Sequence, residues 1–168
     1  MADWRHAFTE LVDGRGPALV RYARLLCGDD ARAADLVQDG LLQVFRRLRV
    51  TGDLEKLEAY VRRAILNRYL DEHRRERLWR SKRHLLATAD ITASTADASD
   101  TAELVRKALA DLSPRQRACV VLRYYEDLPV AGIADALGCS EGTVKRHLSD
   151  GLARLSTRLD LTQEGARP

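Results

Sequence analysis

The chain has 168 residues, 45% hydrophobic but only 5% aromatic, with four prolines, which fits one ordinary domain or two small ones and suits helices better than a sandwich or barrel. Cys27, Cys119 and Cys139 are odd in number and far apart, His6, His73, His84 and His147 form no ligand spacing, and neither a signal-like N-terminus nor a membrane-length apolar run is present, so a cytoplasmic protein with reduced thiols, no metal, no cofactor and no membrane insertion is expected. The net charge of +3 hides an uneven distribution, because nine cations stand against three carboxylates between Arg62 and Arg83, and such a stretch calls for a polyanionic partner.

In chain order, Trp4, Phe8, Leu11 and Val12 recur at helical spacing as far as Gly14-Arg15-Gly16-Pro17, and Leu19, Tyr22, Leu25 and Leu26 resume it. Two helices or one kinked helix would fit. Gly28-Asp29-Asp30 makes a turn and an acidic helix start, and Val37, Leu41, Val44, Phe45 and Leu48 mark the buried stripe of the helix that follows. After a break at Thr51-Gly52-Asp53, Leu57, Tyr60, Val61, Ala64 and Ile65 mark another helix, which runs into the basic stretch. There Asp71, Glu72 and Glu76 can pair with arginines a turn away. Tyr69 and Trp79 lie among the cations, where an aromatic can stack on an unpaired base, although Tyr69 also continues the apolar stripe.

From Ala87 to Thr101 the chain is small, polar and acidic, with Ile91 as its one large aliphatic, and reads as a flexible linker. The expected organisation is therefore all-α, with two small helical domains, 1–86 and 102–168, joined by 87–101. In the second domain Leu104, Ala108 and Leu112 belong to a first helix, and Ser113-Pro114-Arg115-Gln116 combines an N-cap, a proline at the first helical position and the glutamine of a capping box. Ala118, Val121, Leu122 and Tyr125 form the apolar face beyond it.

Val130 to Leu148 reads as a helix-turn-helix. Ile133 and Leu137 face inward, Ala134 is small where two helices cross, Gly138 permits a left-handed turn, and Ser140 caps the second helix. That helix would bury Val144, Leu148, Leu152, Leu155 and Leu159, leaving Glu141, Thr143, Lys145, Arg146 and Ser149 outward. Lys and Arg suit guanine edges or phosphates, Thr and Ser suit either, and Glu suits a cytosine amine in the major groove. No glycine-rich phosphate loop, ligand cluster or Gly-x-Ser-x-Gly motif is present, so the reading is of a binding protein and not an enzyme. A helical adaptor binding only protein would leave both the basic stretch and the outward face of this helix unexplained.

Asp35-Leu-Val-Gln-Asp39, Tyr60-Val-Arg-Arg63 with Leu66-Asn-Arg-Tyr-Leu-Asp71, Leu112-Ser-Pro-Arg-Gln-Arg117, Leu122-Arg-Tyr-Tyr-Glu-Asp-Leu128 and Gly142-Thr-Val-Lys145 occur in that order along nearly the whole chain. Together they resemble the short, two-domain extracytoplasmic-function sigma factors of bacteria, most closely a SigE-like actinobacterial type. The resemblance implies a transcription initiation factor whose partners are core RNA polymerase and promoter DNA, a monomer outside the holoenzyme, with an anti-sigma factor as a further class of partner to which no residue here points. It implies that Asp35, Gln38, Asp39 and Leu42 dock on a coiled coil of the largest polymerase subunit. Arg62, Arg63, Asn67, Arg68, Arg74 and Arg75 would meet the minus-10 element, and Ser140, Glu141, Thr143, Lys145, Arg146 and Ser149 the minus-35 element. Gly40 and Asp150 depart from the pattern, the first standing where a better helix former is usual and the second where a basic residue is common. The rival reading is a response-regulator-type transcription factor, since Ser140 to Ser149 also resembles that helix-turn-helix, but it requires a β/α receiver domain where the first eighty residues read as helices.

Overall fold

The computed structural model describes residues 4–47, 53–82 and 99–165, and within them the regular elements are seven helices with no strand. They are α1 (Trp4–Cys27), α2 (Asp30–Arg47), α3 (Leu54–Lys82), α4 (Asp100–Ala110), α5 (Pro114–Tyr124), α6 (Val130–Leu137) and α7 (Glu141–Gly165). The chain divides into two compact units, 1–94 and 95–168, so the all-α, two-domain expectation holds. Leu48, the Thr51-Gly52 break, Arg83 and most of the expected linker lie outside the described residues. The end of that linker is helical instead: Ser99 accepts a hydrogen bond from the Ala102 N–H at 3.4 Å, and α4 begins at Asp100. Asp100, read as linker, stands in the first turn of a capped helix, where negative charge is favourable.

In the first unit, α1 runs unbroken through Pro17. Leu11, Leu19, Tyr22, Ala23 and Leu26 are buried along one continuous face, and the proline sits on the exposed side. Packing of that face outweighs the single helical hydrogen bond that proline removes. Between α2 and α3, Leu36, Val37 and Val44 meet Leu57, Val61, Ala64, Ile65, Leu66 and Tyr69. Gly40 accounts for how closely these helices approach, since a Cβ there would lie 3.0 Å from Ile65 Cγ1 and 3.4 Å from the Val61 carbonyl oxygen. Phe45, expected in a buried stripe, and two further apolar residues at helical spacing stand outside the core. Val12 and Phe45 are exposed, Phe45 meeting Phe8 edge-on at 5.3 Å between ring centroids, and Tyr60 is 50% exposed because α3 turns that side away from its neighbours.

The second unit is built on α5, whose residues Gln116 to Leu122 are all buried against α6 and α7. Its capping box forms as read: Ser113 Oγ accepts from the Gln116 N–H at 3.3 Å, and Gln116 Oε1 accepts from the Ser113 N–H at 3.1 Å. Tyr125, placed on that apolar face by its spacing, is instead exposed. Gly138 ends α6 at φ 61° and ψ 43°, the left-handed conformation that glycine adopts without a Cβ penalty. The turn it makes leads directly into α7.

Candidate nucleic-acid interface

Helix α7 is started by Ser140, whose hydroxyl accepts from the Thr143 N–H at 3.2 Å and lies 2.9 Å from Thr143 Oγ1. The Thr143 hydroxyl is therefore engaged by its cap, which the outward placement of Thr143 by sequence did not anticipate. Val144 and Gly151 are buried, Leu148 and Leu155 half-buried, whereas Leu152 at 40% exposure and Leu159 stand outside the inner face expected of them. A straight helix drifts past its partner over three turns, so a stripe of leucines cannot all stay covered. Ser140, Glu141, Lys145, Arg146 and Ser149 are exposed, and the side chains of Lys145 and Arg146 make no ion pair or hydrogen bond among the described residues.

Charge beside this helix comes from a second element as well. Half-buried His147 has its pKa lowered by burial and by the cations Arg115 and Arg146, while Asp150 opposes the shift, so the imidazole is neutral at neutral pH. Arg115, read from sequence only as part of a capping segment, is an exposed cation that α5 brings next to α7. The same burial pushes the Cys119 thiol up to about 12, with the Cys139 sulfur adding to it, so Cys119 stays protonated and inert. Among the described residues no group of three or more His, Cys, Asp or Glu could hold a metal ion, and no helix is long and apolar enough to cross a membrane.

In the first unit, the six candidates on α3 separate into two kinds. Arg62 is half-buried, donates to Glu58 from Nε at 3.0 Å and Nη2 at 2.7 Å, and lies over the Tyr22 ring at 5.3 Å. Arg68 is held between Glu72 at 3.1 Å and Asp39 of α2 at 3.4 Å. Glu72 in turn accepts two hydrogen bonds from Arg32, at 2.8 and 3.2 Å, closing a network that fastens α2 to α3. Arg63, Asn67, Arg74 and Arg75 are exposed, and the first three fall on one stripe of the helix. Arg74 makes one exposed pair with Asp71 at 3.3 Å, and Arg75 makes none among the described residues. Tyr69 is core, set edge-on to His73, so it cannot stack on a base, whereas Trp79 is open to solvent.

On α2, Asp35, Gln38, Asp39 and Leu42 are all exposed at i, i+3, i+4 and i+7, opposite the buried Leu36, Val37, Gly40 and Val44. One unit thus presents an acidic and apolar face on α2 and a cationic, amide-bearing face on α3.

Residues 11–78 match the family description Sigma-70 region 2, and residues 102–155 match Sigma-70, region 4. The chain is 37% identical over 160 residues to the RNA polymerase sigma-E factor of Streptomyces avermitilis, covering 95% of this chain and 89% of that one. It is 35% identical over 163 residues to the ECF RNA polymerase sigma factor SigL of Mycobacterium tuberculosis, covering 92% and 89%. In fold it is similar to the sigma factor RpoE of Bartonella quintana, solved with the anti-sigma factor NepR, with a TM-score of 0.65 and 24% identity over 91% of this chain and 96% of that one.

Proposed function

From the premise that the chain belongs to the sigma-70 family of RNA polymerase sigma factors, within its extracytoplasmic-function group, we propose a division of promoter recognition among three helical faces. The protein is an RNA polymerase sigma factor that binds core polymerase and promoter DNA. The exposed α2 face with Asp35, Gln38, Asp39 and Leu42 docks on the polymerase. The α3 face with Arg63, Asn67, Arg74 and Arg75 takes the minus-10 element as it melts, while Arg62 and Arg68 support it through their ion pairs. The outward face of α7, with Lys145, Arg146, Ser149 and Glu141, reads the minus-35 element in the major groove. Residues 1–86 and 102–168 are then the two functional domains. Catalysis belongs to the polymerase, and the protein works in the cytoplasm where the polymerase does. An anti-sigma factor is a further partner this reading admits.

The observation that carries the reading is the pair of chemically distinct exposed faces on α2 and α3. A protein surface that must hold polymerase and a melted strand together needs two chemically distinct faces on one rigid body, and this unit offers them on adjacent helices. The response-regulator reading is abandoned, because the first unit is helical throughout its described residues and matches region 2.

The test uses holoenzyme carrying Arg74→Ala with Arg75→Ala. Permanganate footprinting should report a larger loss of melted thymines than the loss of closed-complex binding on the same promoter. Equal losses at both stages would make the two arginines general phosphate anchors and remove the melting role from this face.

A further inference from the structure

Beyond Glu76 every described residue of α3 is exposed, from Arg77 to Lys82. The last buried residue is Tyr69, so about 15 Å of helix, at 1.5 Å per residue, separates the core of the first unit from Trp79. The Trp79 indole is 65% exposed, an unusual position for a large ring with no packing to do. Arg75, four residues earlier, and Lys82, three later, fall on the same stripe of the helix. Neither of these, nor Arg77, makes an ion pair or side-chain hydrogen bond among the described residues. From Arg74 to Lys82 five cations face one carboxylate, Glu76, and that carboxylate is already shared by Arg32, His73 and Arg80.

A flat apolar ring between unneutralised cations asks for a ligand that carries both negative charge and an exposed flat face. Duplex DNA supplies the charge but keeps its bases stacked. A single strand supplies both. The region 2 match ends at residue 78, one position before Trp79. We infer that Trp79, flanked by Arg75 and Lys82, is a single-strand DNA-binding element at the tip of α3, in which the indole stacks on an unpaired base and the two cations hold its neighbouring phosphates. This rests on the melting role given to α3, and extends it to the exposed end of that helix, to a residue that would retain the strand once it is open.

The full-length chain with Trp4→Phe leaves Trp79 as the only tryptophan, and its emission can be followed while a short oligothymidylate is added. Saturable quenching is expected. Trp79→Ala, followed by anisotropy of a labelled oligothymidylate, should weaken binding by about fivefold to a hundredfold, the range that stacking on one aromatic covers, and Trp79→Tyr should restore most of it. Arg75→Gln and Lys82→Gln should each lower the log–log salt slope by about 0.7, and a duplex of equal length should quench less. Unchanged emission at high oligonucleotide, an emission already that of a buried indole in the free chain, or equal quenching by duplex would overturn the proposal. So would a response to polyglutamate but not to oligothymidylate, which would assign the tip to an acidic protein partner. If Trp79 proves inert while the Arg74 and Arg75 footprint changes as expected, this element fails and the function assigned to α3 stands.

Discussion

Replacing Gly40 with alanine sets two effects of known size against each other. In a helix interior, Gly→Ala gains about 1 kcal/mol of propensity. The added Cβ, however, would stand 3.0 Å from Ile65 Cγ1 and 3.4 Å from the Val61 carbonyl oxygen. Both of those residues are fully buried, so neither can swing into solvent, and the helices must separate by a few tenths of an ångström. Overpacking of that kind costs about 1–3 kcal/mol. The net expectation is a loss of about 1 kcal/mol, or about 4–8 °C in the melting temperature of a domain of this size, read by circular dichroism against heat and urea. In an Ile65→Val background, which removes the δ-methyl and lets the side chain turn, the Gly40→Ala penalty should shrink by about 0.5 kcal/mol or more. A Gly40→Ala protein that is more stable than the parent would mean that α2 and α3 do not approach this closely, and that glycine here is merely a poor helix former.

Asp35→Ala with Gln38→Ala should weaken core-polymerase binding severalfold in a titration while leaving the melting curve within about 0.5 kcal/mol of the parent, since both side chains are surface groups. Unaltered affinity would move the docking surface elsewhere. On α7, Arg146→Ala should relax sequence preference at one or two minus-35 positions and cost about 1–3 kcal/mol, whereas Lys145→Ala should weaken all sequences alike. A promoter library selected with each variant decides between these roles, and the opposite pattern would exchange them. The Glu103 carboxyl, held by its hydrogen bonds from Arg106 at 2.6 and 2.8 Å, has its pKa lowered from 4.5 to about 2. Because the folded form binds its proton less readily than the unfolded one, its contribution to α4 is complete above the ordinary value and fades as pH falls toward 2. NMR titration should find Glu103 ionised at pH 3, and Arg106→Gln should return it to the ordinary range.

Periodicity and local chemistry made much of the second unit legible. The Ser113–Gln116 box, the left-handed Gly138 and the Ser140 cap are short-range patterns, and each forms where the sequence placed it. What could not be read locally depends on partners far along the chain. The commitment of Arg62 is decided by Glu58 and by the Tyr22 ring, and that of Arg68 partly by Asp39, twenty-nine positions away. An arginine side chain by itself offers no hint of such pairings. Tyr60, Phe45 and Leu152 were misplaced for a related reason, since an apolar residue at the edge of a stripe is buried only if the facing helix reaches it. The role of Gly40 was equally hidden, because its neighbours Val61 and Ile65 belong to the next helix.

As a sigma factor, this protein should direct transcription only as a subunit of RNA polymerase. A run-off assay on a promoter selected from a random library, with the purified chain, core polymerase, and both together, tests it most directly. A defined transcript is expected only from the mixture, with initiation at one site and with loss of the product when Asp35 and Gln38 are both replaced by alanine. A product that appears only when the polymerase already carries another sigma factor, or mixing that leaves core polymerase as unselective as before, would contradict it.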